Sequence, residues 1–408
     1  MKKSSLERLR ISNFKLEILL EITRAINENL STGILIQRYE QILRTELNIG
    51  KVLIFNFKQK WECLLCSGMD LDLITKIDVN RDLIDISEIQ IVTRSEQDCF
   101  KSIDIIIPVF HKEKPLAYVL IGDIDEEQEG MSPSIKHLHF IQTLTNIIIV
   151  AIENKRLYKE SLKQEALKKE LELASKMQEM LIPSTESLPN NDKLYVHGFY
   201  LPHYEVGGDY YDFIELNENE AGFCIADVSG KGISAAILMS NFQANLRALF
   251  TPEISLIDLI RKLNEIVLRN TKGERFITIF IAKYNYNTKE LVYINAGHNP
   301  PILYNTKNAN IYYLKNGCVG LGMIDDIPEI NKGFIKVAKH TKLLCYTDGL
   351  VEVENDNDEA FGLEHAEKII PKDEPINMII NELIENLNVF RGSKPLFDDI
   401  SILGLEFF

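Results

Sequence analysis

From Ser134 to Ile182 the chain contains neither glycine nor proline, and Pro183 is the first residue able to end the run. A stretch that long without a breaker reads as one continuous helix, which leaves the segments on either side to find cores of their own. Glu153–Lys176 is rich in Glu, Lys, Leu and Ala, as in an exposed helix. Leu167, Leu171, Ala174, Gln178 and Leu181 step by four and three, the spacing of a heptad seam. Upstream, Glu160 and Gln164 fall on that seam, so it covers only two heptads. The reading is a helical linker over 151–183 that joins two copies of the chain as a coiled-coil homodimer. A solvated connector helix is the alternative. The rest then divides into an N-terminal domain over 1–150 and a C-terminal domain over 184–408.

The balance of charge narrows the partners. A formal net charge of −15 argues against nucleic acid, whose phosphates select basic faces. The longest apolar run, Ile147–Ile152, is far short of the roughly 18 residues needed to cross a bilayer. Basic residues near Met1 have no apolar core after them, so a signal peptide is not expected. These features together point to a cytoplasmic protein without a membrane span. The six cysteines are too dispersed for a disulfide framework. Cys63 and Cys66 form a C-x-x-C, but they sit in a strand-like stretch where residues three apart face opposite ways, so two buried core thiols are expected.

In the N-terminal part, helical patterns run from Phe14 to Leu30 and from Ile34 to Leu47, where Asn48-Ile49-Gly50 stops the second. Strands are predicted at Val52–Phe57, Trp61–Ser67, Ile103–Phe110 and Leu116–Gly122, before the long helix begins. By this order of elements the region resembles a GAF domain. The resemblance implies a six-stranded antiparallel sheet with helices on one face, and a small-molecule or protein signal as input. No residue cluster names a ligand. His137 and His139 are two apart on a helix and cannot form an i, i+4 metal pair.

Beyond Pro183 the pattern changes to short strands with few helices. Strands are predicted at Leu194–Tyr200, Gly222–Ala226, Phe276–Lys283, Leu291–Asn295, Ile311–Leu314, Phe334–Val337, Leu343–Thr347 and Ile400–Glu406. Helices are predicted at Ser234–Phe250, Leu256–Asn270 and Ile376–Phe390. The absence of strict β-α alternation gives an α+β fold class with antiparallel sheets. Four places set a carboxylate at the edge of an apolar strand: Asp209, Asp227, Asp348 and the pair Asp398/Asp399. Buried carboxylates sharing a site repel unless cations are present. Hard oxygen donors suit Mg²⁺ or Mn²⁺ rather than zinc or copper. Asp-Gly pairs are also common turn formers, so spacing alone leaves open a metal site or four unrelated turns.

Five motifs in one order bear on that choice: Gly207-Gly208-Asp209-Tyr210-Tyr211-Asp212, Asp227-Val228-Ser229-Gly230-Lys231-Gly232, Asn295-Ala296-Gly297-His298-Asn299-Pro300-Pro301, Tyr346-Thr347-Asp348-Gly349-Leu350 and Asp398-Asp399-Ile400-Ser401. The series resembles the PPM metal-dependent serine/threonine phosphatases, in their bacterial SpoIIE/RsbU branch. Ala174–Pro183 is similar to that branch's A-x-x-x-Q-x-x-L-x-P lead-in helix. The resemblance implies a β-sandwich with helices on both outer faces and two Mn²⁺ or Mg²⁺ ions at one end. Asp227 would bridge the ions, with Asp209 and the Val228 carbonyl on one and Asp348 and Asp398 on the other. A water between the ions would be deprotonated to a bridging hydroxide and attack phosphorus in line. Asp212 and Asp399 would orient these groups, with the choice between Asp398 and Asp399 as ligand left open. Lys231, Gly232 and His298 are candidates for the phosphate contact or the site wall; Lys231 is alternatively an exposed loop lysine, and His298 a structural histidine or a general acid.

The implied activity is that of a protein-serine/threonine phosphatase acting on a phosphoserine or phosphothreonine of a regulatory protein. In the branch it resembles, that partner is a STAS-type anti-sigma-factor antagonist. The N-terminal domain would supply control through the linker helix. A degenerate, non-catalytic scaffold and a hydrolase of small phosphate esters are the competing readings. The first is disfavoured because every expected carboxylate is present, the second because no P-loop is.

Overall fold

The computed structural model describes residues 2–92, 99–124, 133–203 and 206–408. The chain forms two compact units, Met1–Glu165 and Ala166–Phe408.

In the first unit, helices α1 (Lys2–Asn27) and α2 (Thr32–Gln41) precede strands β1 (Ile49–Phe57) and β2 (Trp61–Ser67). Short helices α3 (Leu71–Ile74) and α4 (Val79–Asp82) follow, then β3 (Gln90–Ile91), β4 (Ile105–His111) and β5 (Lys114–Ile124). The described strands form one antiparallel sheet of five in the order β2-β1-β5-β4-β3, where the resemblance implied six. One face packs Val52, Ile54, Ile107 and Val119 against Ile22 of α1, Leu35 of α2 and Phe140, Leu144 and Ile148 of helix α5 (Pro133–Glu179). The other face carries a smaller cluster that includes Leu53, Tyr118, Val79 and Leu83, so helices are not confined to one side. Inside the larger core the Tyr39 and Thr145 hydroxyls meet at 2.5 Å, joining α2 to α5 and answering two buried polar groups with one bond.

The cysteine reading needs correction. The β1/β2 register slips between Ile54, which pairs Leu65, and Phe55, which pairs Cys63, leaving Leu64 as an extra residue. Such a bulge reverses the alternation beyond it. Leu64 and Leu65 therefore both lean on the helical face, while Trp61 and Cys66 pack on the opposite cluster. Cys63 and Cys66 come to share a face, and the thiol of Cys63 is pushed up by burial and by its neighbour Cys66. Cys63 is exposed as a residue with its sulfur partly covered, and Cys66 is half-buried, so neither is a core thiol.

In the second unit, strands β6 (Leu194–Leu201), β7 (Tyr210–Asn217) and β8 (Glu220–Val228) lead into helices α6 (Ile233–Leu249) and α7 (Leu256–Thr271). Strands β9 (Ile277–Asn285), β10 (Glu290–Ala296), β11 (Ile302–Asn305), β12 (Asn310–Tyr313), β13 (Gly317–Cys318), β14 (Gly333–Lys336) and β15 (Thr341–Tyr346) follow. The chain closes with α8 (Asp348–Val351), α9 (Glu364–Ile369), α10 (Ile376–Arg391) and β16 (Ile400–Phe407).

Two sheets result: β13-β10-β9-β8-β7, with β14 also on β10, and β12-β11-β15-β16-β6. Central strands such as β9 bury side chains on both faces, because Ile279 and Ile281 point one way while Phe280, Ala282 and Tyr284 point the other. One continuous core holds Phe280 and Tyr284 of the first sheet with Leu343, Leu405 and Phe407 of the second, so the sheets stack face to face. Met239 and Phe242 of α6 and Leu259 and Leu263 of α7 join that core over the first sheet. A separate cluster seats Ile376, Ile380 and Leu383 of α10 on Ile302, Leu344 and Ile402 of the second. The result is a mixed α+β sandwich with helices outside both sheets. The apolar face of α10 lies where its periodicity places it. Strands β7, β11 and the two-residue β13 are additional to the sequence expectation.

Candidate functional site

The pairing of strands explains how distant aspartates reach one place. β7 and β8 are antiparallel with Tyr210 opposite Ala226, so Asp209, just before β7, lies beside Asp227 at the end of β8. β15 and β16 are antiparallel with Tyr346 opposite Ile402, so Asp348, just after β15, lies beside Asp398 and Asp399, just before β16. The first sheet thus brings two carboxylates, and the second sheet three, to the same end of the sandwich.

Thr347 locks the two sets together. Its buried hydroxyl donates to Asp209 Oδ2 at 2.7 Å and accepts from the Ser401 backbone N–H at 2.9 Å. Asp399, at the start of the neighbouring strand β16 in the same sheet, also reaches across to the first sheet. Its buried carboxylate accepts from the His203 N–H at 2.8 Å and the Gly208 N–H at 2.7 Å, fixing the turn that presents Asp209. A Cβ on Gly207 would sit 2.1 Å from Asp399 Oδ2, so only glycine fits.

The gathered acids disfavour one another's charge. Burial, with Asp348, Asp398 and Asp399 close by, raises Asp227 from its usual range to about 7. Asp209, 2 % exposed, is raised well above its ordinary value by burial and then by Asp227 and Asp399; the Thr347 hydroxyl opposes this. Asp348 is raised by burial and by Glu352 and Asp398, with Lys231 acting the other way. Carboxylates that destabilise each other's charge in this way call for a cation. The backbone also comes close here: a Cβ on Gly208 would lie 2.9 Å from the Val228 carbonyl oxygen. The donor set therefore fits a hard divalent cation in charge and chemistry. Among the described residues, no group of three acidic, imidazole or thiol side chains closes tightly enough to hold a metal ion as the chain stands.

The remaining expected residues take varied places. Lys231 makes an ion pair with Asp398 at 2.7 Å and donates to the Phe397 carbonyl. Beside it a cavity of about 320 Å³ is lined by Gly349, Glu352 and Phe397, among others. Gly232 caps the N-terminus of α6 with φ 75°. His298 is buried, with Nδ1 2.9 Å from the Thr278 hydroxyl and its backbone N–H bonded to Asn295 Oδ1. Burial lowers its pKa to about 4, so the ring is neutral near pH 7. Asp212, expected to orient the metal-binding groups, is tied to a helix. Arg247 of α6 grips it with Nε and Nη2 at 2.7 and 2.8 Å, and the Tyr210 hydroxyl donates to it.

Two contributors were not anticipated. Gln178, placed on the outward seam by the heptad register, is instead buried against the glycine turn: Nε2 donates to the Gly207 carbonyl at 2.5 Å and Oε1 accepts the Gly207 N–H at 3.0 Å. The lead-in motif around it was the available signal. Arg275 braces the other motif, donating to the Ser229 carbonyl at 2.5 Å and to the Ser234 hydroxyl at 2.7 Å. No motif contains it.

This sandwich is a PP2C-type fold. It overlays the SiaA-PP2C domain of Pseudomonas aeruginosa with a TM-score of 0.52 at 17% identity, over 60% of this chain and 99% of that one. Residues 217–408 match the model of the stage II sporulation protein E (SpoIIE) family. The chain is 30% identical over 194 residues to phosphoserine phosphatase RsbU of Bacillus subtilis (strain 168), a match covering 48% of this chain and 57% of that protein. It is 28% identical over 189 residues to phosphoserine phosphatase RsbP of the same strain, covering 45% and 46%. The chain spans about half the length of the curated relatives it matches. Among the described residues, no helix is long and apolar enough to cross a membrane.

Proposed function

We propose that the chain is a metal-dependent protein phosphatase that hydrolyses phosphoserine or phosphothreonine on another protein. The observation that carries this reading is the meeting of Asp209 and Asp227 with Asp348 and Asp398, where burial and neighbouring acids raise Asp227 to about 7. The likeness to RsbU and RsbP, both named phosphoserine phosphatases, supports the substrate class. Asp209, Asp227 and the Val228 carbonyl would hold one Mn²⁺ or Mg²⁺, and Asp348 and Asp398 a second that Asp227 shares. Bound ions would supply Lewis acidity toward a water and the phosphoryl oxygens.

The chain's own residues set the conditions for that chemistry. Thr347 and Asp399 hold the Asp209 turn in place, so the donors need little reorganisation when a cation enters. Asp398, half-exposed beside an open cavity, faces the side from which a phosphorylated loop can approach. Release of inorganic phosphate from a phosphoserine-bearing protein in Mn²⁺ tests the reading: turnover in wild type and its loss in Asp227→Asn are expected. Equal turnover by both would refute it.

The N-terminal unit, read as a GAF-like sensor over 1–150, would control this site through the 151–183 linker. Leu167, 55 % exposed, and the half-buried Leu171 leave the seam open for a second copy, which supports a homodimer. A STAS-type antagonist is the substrate proposed. Removal of residues 1–150 is expected to change turnover or its metal requirement; unchanged turnover and unchanged oligomeric state would remove the control claim.

A further inference from the structure

Lys231 sits between two glycines in the left-handed region, Gly230 at φ 89° and Gly232 at φ 75°. A Cβ on Gly230 would stand 2.1 Å from Arg275 Nη1, so that glycine is obligatory and the loop is braced there. A Cβ on Gly232 would have nothing within 4 Å, which leaves open space on the far side of Lys231. The brace and the space together direct one long side chain across the end of the sandwich. Its ammonium reaches Asp398 Oδ2 at 2.7 Å and the Phe397 carbonyl, and its charge also favours the ionised form of Asp348. One lysine therefore serves Asp348 and Asp398, two of the acids contributed by the β15/β16 sheet.

We propose that Lys231 is a resident counter-ion for these acids, and that a divalent cation binds Asp348 and Asp398 by exchange, displacing the ammonium. This rests on reading the four aspartates as cation ligands. A lysine suits the task because it is a hydrated point charge on a flexible stem. The pair is 45 % and 36 % exposed on its two sides, and a pair that open to water is held weakly enough for a divalent ion to break. The exchange makes the two cation positions unequal. The position at Asp209, Asp227 and Val228 fills first. The position at Asp348 and Asp398 fills only at higher cation concentration, because an ammonium must leave. The inequality would let small movements of the Gly230–Gly232 loop set how many ions the site holds.

Calorimetric titration of the EDTA-treated full chain with MnCl₂ tests this, beside thermal unfolding in EDTA and in saturating Mn²⁺. Wild type is expected to bind in two phases. Lys231→Met is expected to tighten the weaker phase by about fivefold or more, by removing the competing charge. It should leave the tighter phase nearly unchanged, and unfold at a lower temperature than wild type in EDTA but not in Mn²⁺. Lys231→Arg, which keeps the charge, should behave as wild type. A Lys231→Met titration without tightening overturns the exchange, whether wild type binds in one phase or two. Asp227→Asn separates this from the underlying reading: if it binds Mn²⁺ as wild type does, the aspartates are not the ligands and both proposals fall.

Discussion

Strand β7 and the turn before it carry two buried aspartates, and the fold treats the surroundings of each in opposite ways. Around Asp212, 0 % exposed, the Arg247 guanidinium, the Tyr210 phenol and the Phe213 backbone N–H supply the contacts a carboxylate needs. Around Asp209, three positions earlier, the nearest charged neighbours are further carboxylates. The first arrangement is complete and pins α6 to the first sheet. The second is incomplete and gains from an added cation. Proximity of acids to strand ends does not separate the two cases; the partner on the neighbouring helix does.

The sharpest way to break this comparison is to remove one charge at each place. Asp227→Asn is expected to lower phosphatase turnover by roughly a thousandfold or more while the chain stays folded, because metal activation of water is lost. Arg247→Ala is expected to do the reverse: turnover per folded molecule is kept, but about 3 kcal/mol of stability is lost in urea unfolding, since Asp212 is left buried without its cation. Adding Asp212→Asn to Arg247→Ala should recover part of that loss. No recovery would mean that the pair matters for packing alone.

Acidity gives a second contrast. Asp227 has a folded pKa near 7 against an unfolded value of 3.8, so the metal-free fold favours the protonated acid. The stability this confers is full below about pH 4 and is lost as pH rises through 7, by at most a few kcal/mol. In EDTA, unfolding temperature should therefore fall between pH 5 and 8, with a flatter profile in Asp227→Asn. In excess Mn²⁺ the trend should reverse, because cations bind the ionised acid. A smaller effect is expected at Gln178. Gln178→Ala leaves both polar groups of the Gly207 peptide without their partner, costing about 2 kcal/mol and loosening the Asp209 turn. Its measure is turnover against Mn²⁺ concentration, which should shift toward higher Mn²⁺.

The sequence made Asp227, Asp348 and Asp398/Asp399 visible because each follows or precedes an apolar run that must be a buried strand, as Leu343–Tyr346 does for Asp348, whereas Asp209 was marked by its glycine motif. It also showed α7 and α10, whose apolar residues recur every three to four positions. It hid β7, whose Tyr-Tyr-Asp-Phe start does not alternate cleanly because Asp212 is buried as an ion pair. It hid the shared face of Cys63 and Cys66, since one extra residue in a strand is detectable only against its partner. Thr347 and Gln178 were named or passed over within motifs, but their roles depend on partners 138 and 29 residues away. Local pattern fixes elements; it does not say which distant peptide a hydroxyl or amide will hold.

Soaking crystals of the full chain in MnCl₂ and mapping anomalous scattering at the manganese edge addresses the central claim most directly. The account predicts two peaks flanking the Asp227 carboxylate, one touching Asp209 and the Val228 carbonyl, the other touching Asp348 and Asp398 with Lys231 swung away. Manganese bound elsewhere, with these four aspartates unliganded at saturating concentration, would contradict it.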